Sequence, residues 1–308
     1  MTERVVVTGA TGLVGRHASA ALRRSGYEVV GVQRAVSSVS AVPEQFAAVD
    51  LSEARAIEQL CALLPMSAIV HCAAVLPTSF DGADSQYAAQ INRSIDKTVI
   101  DFCATHGVRL IYCSGTAVYG PLREDAPVHE VHGLAPHGGY IEEKVWAEWE
   151  IAERVVSHAI LRICAPYGSG QRSRTVLRVF IERAISGKTL GFFGSGTREQ
   201  DFLHVDDLAN LIVRAVSRHE VNGVFNASGG QPITMCDLAN LVSRVVSDGR
   251  AEVCSTGRDD PQDGLRARFD LRLAEAELGW RPAISLETGI ADWARSLQEE
   301  EHASRDHL

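Results

Sequence analysis

The amino-acid sequence predicts an α/β fold, a doubly wound parallel sheet joined to a smaller, mostly C-terminal α/β region. In the first half of the chain, short β-branched runs alternate with longer amphipathic segments. Strands that are buried on both faces and alternate with helices form parallel sheets with right-handed crossovers. After about residue 165 this alternation is lost and helical patterns dominate. The first half therefore has the Rossmann-type layout.

Six strands are predicted in the first half: RVVVTGA, EVVGVQR, FAAVDL, AIVHCAA, RLIYCSG and HAILRI. The helices predicted there include VGRHASAALRRSG, EARAIEQLCALL, NRSIDKTVIDFCATHG and GGYIEEKVWAEWE. In the second half, helices are predicted in RTVLRVFIERAISGK, DDLANLIVRAVSRH and TMCDLANLVSRVV, and on either side of GWRP. LGFFGSG and VFNASGG are predicted to be short strands that run into turns.

These patterns predict two interlocked regions. We expect residues 1–165 to form the Rossmann domain, with about 203–225 returning to it. Residues 166–202 and 226–308 are expected to form a smaller region that covers a substrate. A chain of 308 residues is long enough for this arrangement.

Composition excludes several classes of function. The net charge of −9 argues against a nucleic acid or an anionic membrane as partner, because phosphate groups favour clustered Lys and Arg. The seven cysteines are scattered, so we expect neither a disulfide framework nor a metal site. The start MTERVVVTG is unlike a signal peptide, and no apolar run is long enough to span a bilayer. We therefore expect a cytoplasmic protein.

The segment VVVTGATGLVG places Gly9, Gly12 and Gly15 directly after the first strand and at the start of a helix. Glycines at these positions allow a tight turn and let the backbone approach a pyrophosphate, whose charge the helix N-terminus stabilises. We predict a dinucleotide site that also includes Thr11 and Leu13 of the same loop.

The end of the second strand indicates which dinucleotide binds. An acid there would bond the ribose 2′-hydroxyl of NAD, whereas Arg accommodates the 2′-phosphate of NADP. The chain has Gln33 and Arg34, which favours NADP, with NAD as the alternative. Asp50, followed by Leu51, could reach the adenine amino group or could cap the next helix.

Several motifs together resemble a known family. They are TGATGLVG, VDL, VHCAA, YCSGTAVYG, YIEEK, LRICAPYG, GSGTREQDFLHVDDLA and VFNASGG. Their order resembles that of extended short-chain dehydrogenases/reductases, in the NAD-dependent epimerase/dehydratase group, most of which act on nucleotide sugars. The resemblance extends from residue 5 to LGWRP near residue 280.

The resemblance assigns a role to Tyr140 and Lys144, which lie one helical turn apart. By spacing alone they could be an ordinary packed Tyr and a surface Lys. In the family this Tyr is the acid/base, and the Lys binds the nicotinamide ribose and lowers the pKa of the Tyr. The resemblance also implies that Ala73 contacts the cofactor and that Asn92, at the start of a helix, supports the active-site backbone. His71 near the nicotinamide is expected to pack rather than react.

A third hydroxyl is expected after the fifth strand, but the position that usually carries it is Gly115. Ser114 and Thr116 flank this glycine, and either could serve. The family's 4,6-dehydratases carry an Asp-Glu pair where this chain has Thr116 and Ala117, which argues against that activity. Ala117 also replaces the Cys of reductases that epimerise C3 and C5.

The residues expected to bind substrate phosphate also depart from the family pattern. Ala165 replaces an Asn, and Gln200 replaces an Arg that often precedes the DF pair. Pyrophosphate contacts could instead come from Arg198 and Arg258, with Arg174 possible.

The leading hypothesis is an NADPH-dependent ketoreductase acting on a nucleotide-linked, dTDP-type 4-keto-6-deoxy sugar. A nucleotide-sugar 4-epimerase with tightly bound NAD is the alternative, since it needs the same Tyr140 and Lys144. A reductase of a non-sugar carbonyl is third. The resemblance also implies a homodimer in which the helices containing TVIDFCATHG and YIEEKVWAEWEIAERVV form a four-helix bundle.

Overall fold

The computed structural model describes residues 2–34, 45–80 and 82–305. Its strands are β1 (Arg4–Thr8), β2 (Glu28–Gln33), β3 (Gln45–Ala48), β4 (Ala68–His71), β5 (Arg109–Gly115), β6 (His158–Ile163), β7 (Ala165–Tyr167), β8 (Leu190–Phe192), β9 (Glu199–Gln200), β10 (Phe202–His204), β11 (Gly223–Ala227), β12 (Ile233–Thr234) and β13 (Val253–Ser255). Its helices are α1 (Leu13–Arg24), α2 (Ala56–Cys61), α3 (Ala83–His106), α4 (Gly139–Arg154), α5 (Val176–Ile185), α6 (Val205–Ser217), α7 (Met235–Ser247), α8 (Arg272–Leu278) and α9 (Leu286–Arg305).

The fold is built on a seven-stranded sheet in the order β3-β2-β1-β4-β5-β6-β11. Every neighbouring pair of strands in it is parallel. This confirms the predicted fold class. The six predicted strands of the first half are all present, and the strand predicted in VFNASGG is the seventh, at one edge of the sheet.

Hydrophobic side chains cover both faces of this sheet. Val5 and Val7 of β1 pack into a cluster with α1, α6 and α8, whereas Val6 packs into a second cluster with α3 and α4. Successive side chains of a strand point to opposite faces, so a run such as VVV fits a strand that is buried on both sides. A third cluster lies among α5, α7 and α9, within the region predicted to cover the substrate.

The last part of the chain is not packed solely with that third cluster. Trp280, just after α8, is buried in the cluster on the sheet, and its Nε1–H donates to the backbone oxygen of Asp207 at 3.0 Å. The Asp207 carboxylate accepts from the backbone N–H groups of Ala283 and Ile284. The segment after α8 is therefore attached to α6, which leaves the division at residue 226 a prediction.

Two predicted helices differ in length from those observed. α3 begins at Ala83, so Asn92 lies well inside the helix rather than at its start. The predicted helix began at Asn92. The observed helix starts nine residues earlier, and its buried face includes Ala88. α2 is only six residues long. No helix in residues 2–34, 45–80 and 82–305 is both long enough and apolar enough to cross a membrane.

Candidate active site

A cavity of about 260 Å³ lies at the carboxyl ends of β1, β2 and β4. In parallel α/β sheets this edge is where ligands bind. The residues that line the cavity are Gly9, Thr11, Gly12, Val32, Gln33, Arg34, Val49, Asp50, Leu51, Cys72, Ala73, Ala74, Val75 and Ile95. The cavity thus brings together most of the residues that the sequence assigned to a dinucleotide.

The glycine loop makes this cavity fit a pyrophosphate. Gly9 has φ +62°, and a Cβ on it would lie 2.9 Å from the backbone of Ala73. A Cβ on Gly15 would lie 2.2 Å from the Gly9 oxygen. Gly12 is the N-cap of α1, so no side chain covers its first backbone N–H groups, and the first turn contains no acid. These groups and the helix dipole favour an anion at this point.

Arg34 is exposed directly after β2 and lines the cavity together with Gln33. The Asp50 carboxylate accepts from the backbone N–H and the hydroxyl of Ser52, at 3.0 and 2.6 Å. These hydrogen bonds and the nearby Arg34 hold the pKa of Asp50 below its ordinary value. Asp50 therefore closes the turn after β3 rather than capping α2, which begins at Ala56.

Asn92 supports the wall of the cavity from within α3. Its Oδ1 accepts from the Val75 N–H at 2.8 Å, and its Nδ2 donates to the Val75 oxygen at 2.9 Å. The side chain is fully buried. Its amide therefore pairs with the segment after β4 as a neighbouring strand would, which fixes the backbone beside Ala73.

Tyr140 lies in the first turn of α4 and Lys144 in the next turn, and both are buried. The Lys144 Nζ lies 5.9 Å from the centre of the Tyr140 ring. The Tyr140 N–H donates to Ser85 Oγ at 3.0 Å, which joins the start of α4 to α3. The two residues therefore form one pair on one helix face, as their spacing predicts.

The surroundings of Tyr140 favour its protonated form in this structure. Burial raises the pKa of Tyr140 above its ordinary value, while the Lys144 ammonium acts in the opposite direction. The pKa of Lys144 is raised: burial opposes its charge, but the Asp96 carboxylate favours it. The pair therefore presents a neutral phenol beside a buried ammonium, which can donate a proton and stabilise the phenolate that results.

The two candidates for the third hydroxyl have different surroundings. Ser114 is buried, and its Oγ donates to Glu148 Oε1 at 2.5 Å. Glu148 is held in turn by Arg162, with Nη2 to Oε2 at 2.6 Å. Thr116 opens the 3₁₀ turn Thr116–Tyr119 and is only partly buried. Because a hydroxyl has one proton to donate, Ser114 has already used its proton.

The basic residues assigned to substrate are not all in one place. Arg198 Nε donates to Asp260 at 2.9 Å, and the Arg258 oxygen accepts from the Gly194 N–H at 2.7 Å. The segments that carry Arg198 and Arg258 are therefore adjacent. Gln200 lies in β9, paired with β12. Arg174 lies 3.9 Å from Glu182 of α5 instead and is largely exposed.

The structure also reveals groups that the sequence motifs missed. The Phe80 ring stacks on Tyr140, with centres 5.4 Å apart and planes at 5°. This approach requires a glycine at 138, where a Cβ would lie 2.1 Å from the Phe80 oxygen. Asp96 lies beneath Lys144, with Oδ2 3.8 Å from Nζ. A signal for Asp96 was available, since it follows Asn92 by four residues on the same helix face.

No group of three or more His, Cys, Asp or Glu side chains in the described part of the chain is arranged to hold a metal ion. The glycine loop and the N-terminus of α1 are the described residues whose geometry suits the pyrophosphate of a dinucleotide.

Comparison with known proteins agrees with this geometry. Residues 5–228 match the model of the NAD-dependent epimerase/dehydratase family. The chain is 27% identical over 303 residues to UDP-glucuronic acid decarboxylase 1 of Danio rerio, covering 94% of this chain and 71% of that protein. It is 28% identical over 194 residues to dTDP-4-dehydro-6-deoxyglucose reductase of Escherichia coli, covering 60% of each chain.

A solved structure, UDP-glucose 4-epimerase of Thermotoga maritima with UDP-glucose, superimposes with a TM-score of 0.85 at 23% identity. The match covers 97% of this chain and 99% of that one, so the two share a fold. The family model spans most of the chain, including the glycine loop and the Tyr140/Lys144 helix. The chain therefore belongs to the NAD-dependent epimerase/dehydratase family and is an enzyme of the extended short-chain dehydrogenase/reductase type.

Proposed function

We propose that the protein is an NADPH-dependent ketoreductase acting on a nucleotide-linked 4-keto-6-deoxy sugar, with dTDP as the expected nucleotide. The observation that carries this proposal is Arg34, which lines the cavity directly after β2, where an NAD-binding site would have an acid. Residues 35–44, which follow, lie outside the described residues. NADP is characteristic of reductive chemistry with net turnover, whereas an epimerase returns its hydride.

The residues of this chain would supply binding and proton transfer. A bound reduced nicotinamide supplies the hydride for the ketone carbon. Tyr140, whose pKa burial raises, is protonated at neutral pH and can give its proton to the oxygen that becomes negative. Lys144 stabilises the phenolate that Tyr140 then becomes. Thr116 donates a hydrogen bond to the same substrate oxygen, since the Ser114 proton is directed to Glu148.

The nucleotide part of the substrate would bind where the segments of Arg198 and Arg258 are adjacent. Both are cations that can bond phosphate oxygens. The relative from Escherichia coli is named a reductase of a dTDP-linked 4-keto-6-deoxy sugar, which supports this substrate class. Gln200 would contribute an amide where the family pattern has an Arg. Arg198 would have to share its guanidinium with Asp260, which lies 2.9 Å from Nε, and the largely exposed Arg174 lies 3.9 Å from Glu182.

The second candidate is a nucleotide-sugar 4-epimerase with tightly held NAD. The family to which the chain belongs is named for epimerases and dehydratases, and this name favours the epimerase function. The epimerase would use the same pair, with Tyr140 removing a proton from the 4-hydroxyl and returning it. Net consumption of cofactor separates the two functions, since an epimerase leaves the nicotinamide unchanged overall.

The test is to mix the protein with NADPH or NADH and a panel of nucleotide 4-keto-6-deoxy sugars, following the reduced-nicotinamide absorbance. We expect stoichiometric NADPH consumption and a product with a new 4-hydroxyl by NMR. A second panel contains UDP-glucose and UDP-glucuronic acid, for which the relatives are named. Conversion in that panel without net cofactor turnover would contradict the ketoreductase proposal.

Arg34→Asp provides the sharper test of the cofactor. We expect kcat/KM with NADPH to fall about 10- to 100-fold, because a hydrogen bond to a charged group contributes about 1.5–3 kcal/mol and the new carboxylate repels the 2′-phosphate. Activity with NADH should hold or rise. Arg218→Ala, an exposed Arg that follows α6, is the matched control. An unchanged NADPH/NADH preference in Arg34→Asp would refute the assignment.

We also propose that the protein is a homodimer formed through α3 and α4. These helices pack against each other, and Tyr87 of α3 and Trp149 of α4 remain 65% and 60% exposed. Covering large aromatic side chains is favourable and two helices from each copy would form a four-helix bundle. We expect Trp149→Glu to convert a dimer to a monomer in light scattering, whereas Val131→Glu, on an exposed loop, leaves the mass unchanged.

A further inference from the structure

Three polar side chains lie in one row across the middle of the sheet. Thr8 pairs with His71, and His71 pairs with Tyr112, in the register of β1, β4 and β5. All three are buried. Thr8 and His71 are the last residues of β1 and β4, and Tyr112 lies in the middle of β5. Hydrogen bonds join them to the carboxylate of Asp96 on α3. His71 Nε2 lies 2.8 Å from Oδ1, and the Tyr112 hydroxyl donates to Oδ2 at 2.6 Å.

The direction of these bonds follows from the backbone. Thr8 Oγ1 accepts from the N–H groups of Cys72 and Ala73, each at 3.2 Å. Its own proton is therefore donated to His71 Nδ1, 2.6 Å away. Nδ1 is then an acceptor, so Nε2 carries the ring proton and donates to Asp96. Both oxygens of the Asp96 carboxylate thus accept a hydrogen bond from a buried donor.

Lys144 contacts two members of this cluster, Tyr112 and Asp96. Its Nζ donates to the Tyr112 hydroxyl at 2.9 Å and lies 3.8 Å from Asp96 Oδ2. The side chains of Lys144 and Asp96 are 5% and 1% exposed. An ammonium removed from water this completely is costly unless an opposite charge lies close to it. One of its three N–H groups is used on Tyr112, which leaves donors for other partners.

The other titratable groups around Lys144 are poorer counter-ions. They are Tyr140 and Glu143 from α4, Cys113 from β5, and Cys72, which directly follows β4. Burial raises the pKa of Tyr140, and hydrogen bonding to Cys113 together with burial raises that of Cys72, so both are neutral near pH 7. Burial also raises the pKa of Glu143 to about 7, and its Oε2 is bound by Arg93 at 2.6 Å.

Asp96 differs from these groups. Burial opposes its charge, but Lys144 and the hydrogen bonds from His71 and Tyr112 outweigh that effect and lower its pKa. Among the described groups that face Lys144, Asp96 is thus the carboxylate that stays ionised at neutral pH. The structural reason is that His71 and Tyr112 each donate a short hydrogen bond to one oxygen of the Asp96 carboxylate, which stabilises its ionised form.

We propose that Asp96 is a positioning residue, the buried counter-ion that keeps Lys144 charged and in place, and that His71 and Tyr112 hold its carboxylate. The consequence for catalysis rests on the proposed function, in which the Lys144 ammonium supports proton donation by Tyr140. In this arrangement His71 orients the Asp96 carboxylate through its bond to Oδ1.

The test measures how stability depends on pH in Asp96→Asn. Without its counter-ion, the folded-state pKa of Lys144 falls below the value of about 10.4 in the unfolded chain. The unfolded chain then binds more protons between these two values, so stability rises with pH in that window. In the wild type the pKa of Lys144 is raised, and its contribution to stability is constant below about pH 10.

We expect the unfolding equilibrium constant of Asp96→Asn, relative to wild type, to fall by about tenfold or more between pH 7 and pH 9.5 in urea titrations. The matched control is Asp101→Asn on the same helix, a half-buried carboxylate that pairs with Lys97 and Arg154. Its unfolding equilibrium constant relative to wild type should not change over the same pH range. In Asp96→Asn/Lys144→Met the pH dependence should disappear, and that double variant should be more stable at pH 7 than Asp96→Asn.

If Asp96→Asn does not fold, rescue of folding by adding Lys144→Met supports the proposal, and failure of that rescue overturns it. The proposal is also overturned if the unfolding equilibrium constant of Asp96→Asn relative to wild type does not change with pH. A pH dependence that persists in the double variant overturns it as well. The measurement contains no substrate, so its outcome is independent of whether the ketoreductase assay succeeds.

Discussion

Tyr140→Phe is expected to lower kcat by about 10²- to 10⁴-fold in the reduction of the keto sugar, because a positioned general acid contributes that much. The phenol hydroxyl of Tyr140 is a proton donor that burial keeps protonated beside a buried ammonium. NADPH binding, measured by nucleotide fluorescence, should change little, because the substitution leaves Lys144 and the glycine loop in place. The loss should therefore appear in kcat rather than in cofactor affinity.

The matched control for this variant is Tyr167→Phe. Tyr167 is also buried, but in the cluster of α5, α7 and α9, and its hydroxyl makes no hydrogen bond to any described residue. The Tyr167→Phe variant should retain the wild-type kcat. Retention of most of the activity by Tyr140→Phe, with an unchanged melting temperature, would mean that another group donates the proton and would remove Tyr140 from the mechanism.

Thr116→Val is expected to lower kcat by about 10²- to 10³-fold, the cost of removing one hydrogen-bond donor from a developing oxyanion. Val has almost the same shape as Thr, so the 3₁₀ turn that Thr116 opens should be kept. Ser114→Ala is the comparison. It removes a proton that is directed to Glu148, so its effect should fall on stability more than on kcat.

A rescue experiment separates a lost donor from a damaged turn. Gly115 has φ −141° and ψ 149°, which any residue adopts, and a Cβ there would lie 3.7 Å from the nearest atom, the Ile163 oxygen. Gly115→Ser therefore places a hydroxyl at the position that usually carries it, without strain. We expect Thr116→Val/Gly115→Ser to recover about tenfold or more of the activity lost in Thr116→Val. A larger effect for Ser114→Ala than for Thr116→Val would reverse the assignment.

The glycine loop and the Tyr140/Lys144 pair could be predicted from the sequence because their signals are local. Gly9, Gly12 and Gly15 mark one turn between a strand and a helix, and the spacing of Tyr140 and Lys144 is that of one helical turn. Alternation of β-branched and amphipathic segments likewise gave the parallel sheet, which the structure confirms.

Other features depend on elements that are far apart in the chain. Ser114 and Thr116 are equivalent in sequence, and only the position of Glu148, 34 residues away on α4, shows which proton is already used. The start of α3 was misplaced because the pattern beginning at Asn92 did not include the packing of Ala88.

What the sequence by itself determined is the fold class, the glycine loop and the Tyr140/Lys144 pair, because backbone propensity and side-chain periodicity act between near neighbours. What only the tertiary structure decided is the identity of the partners: Glu148 for Ser114, and Asp96 for Lys144. Those partners are selected by strand register and by the packing of α3 and α4 on the sheet. A buried charge must be compensated by whatever the fold places beside it, and this placement is not encoded in any short stretch of sequence.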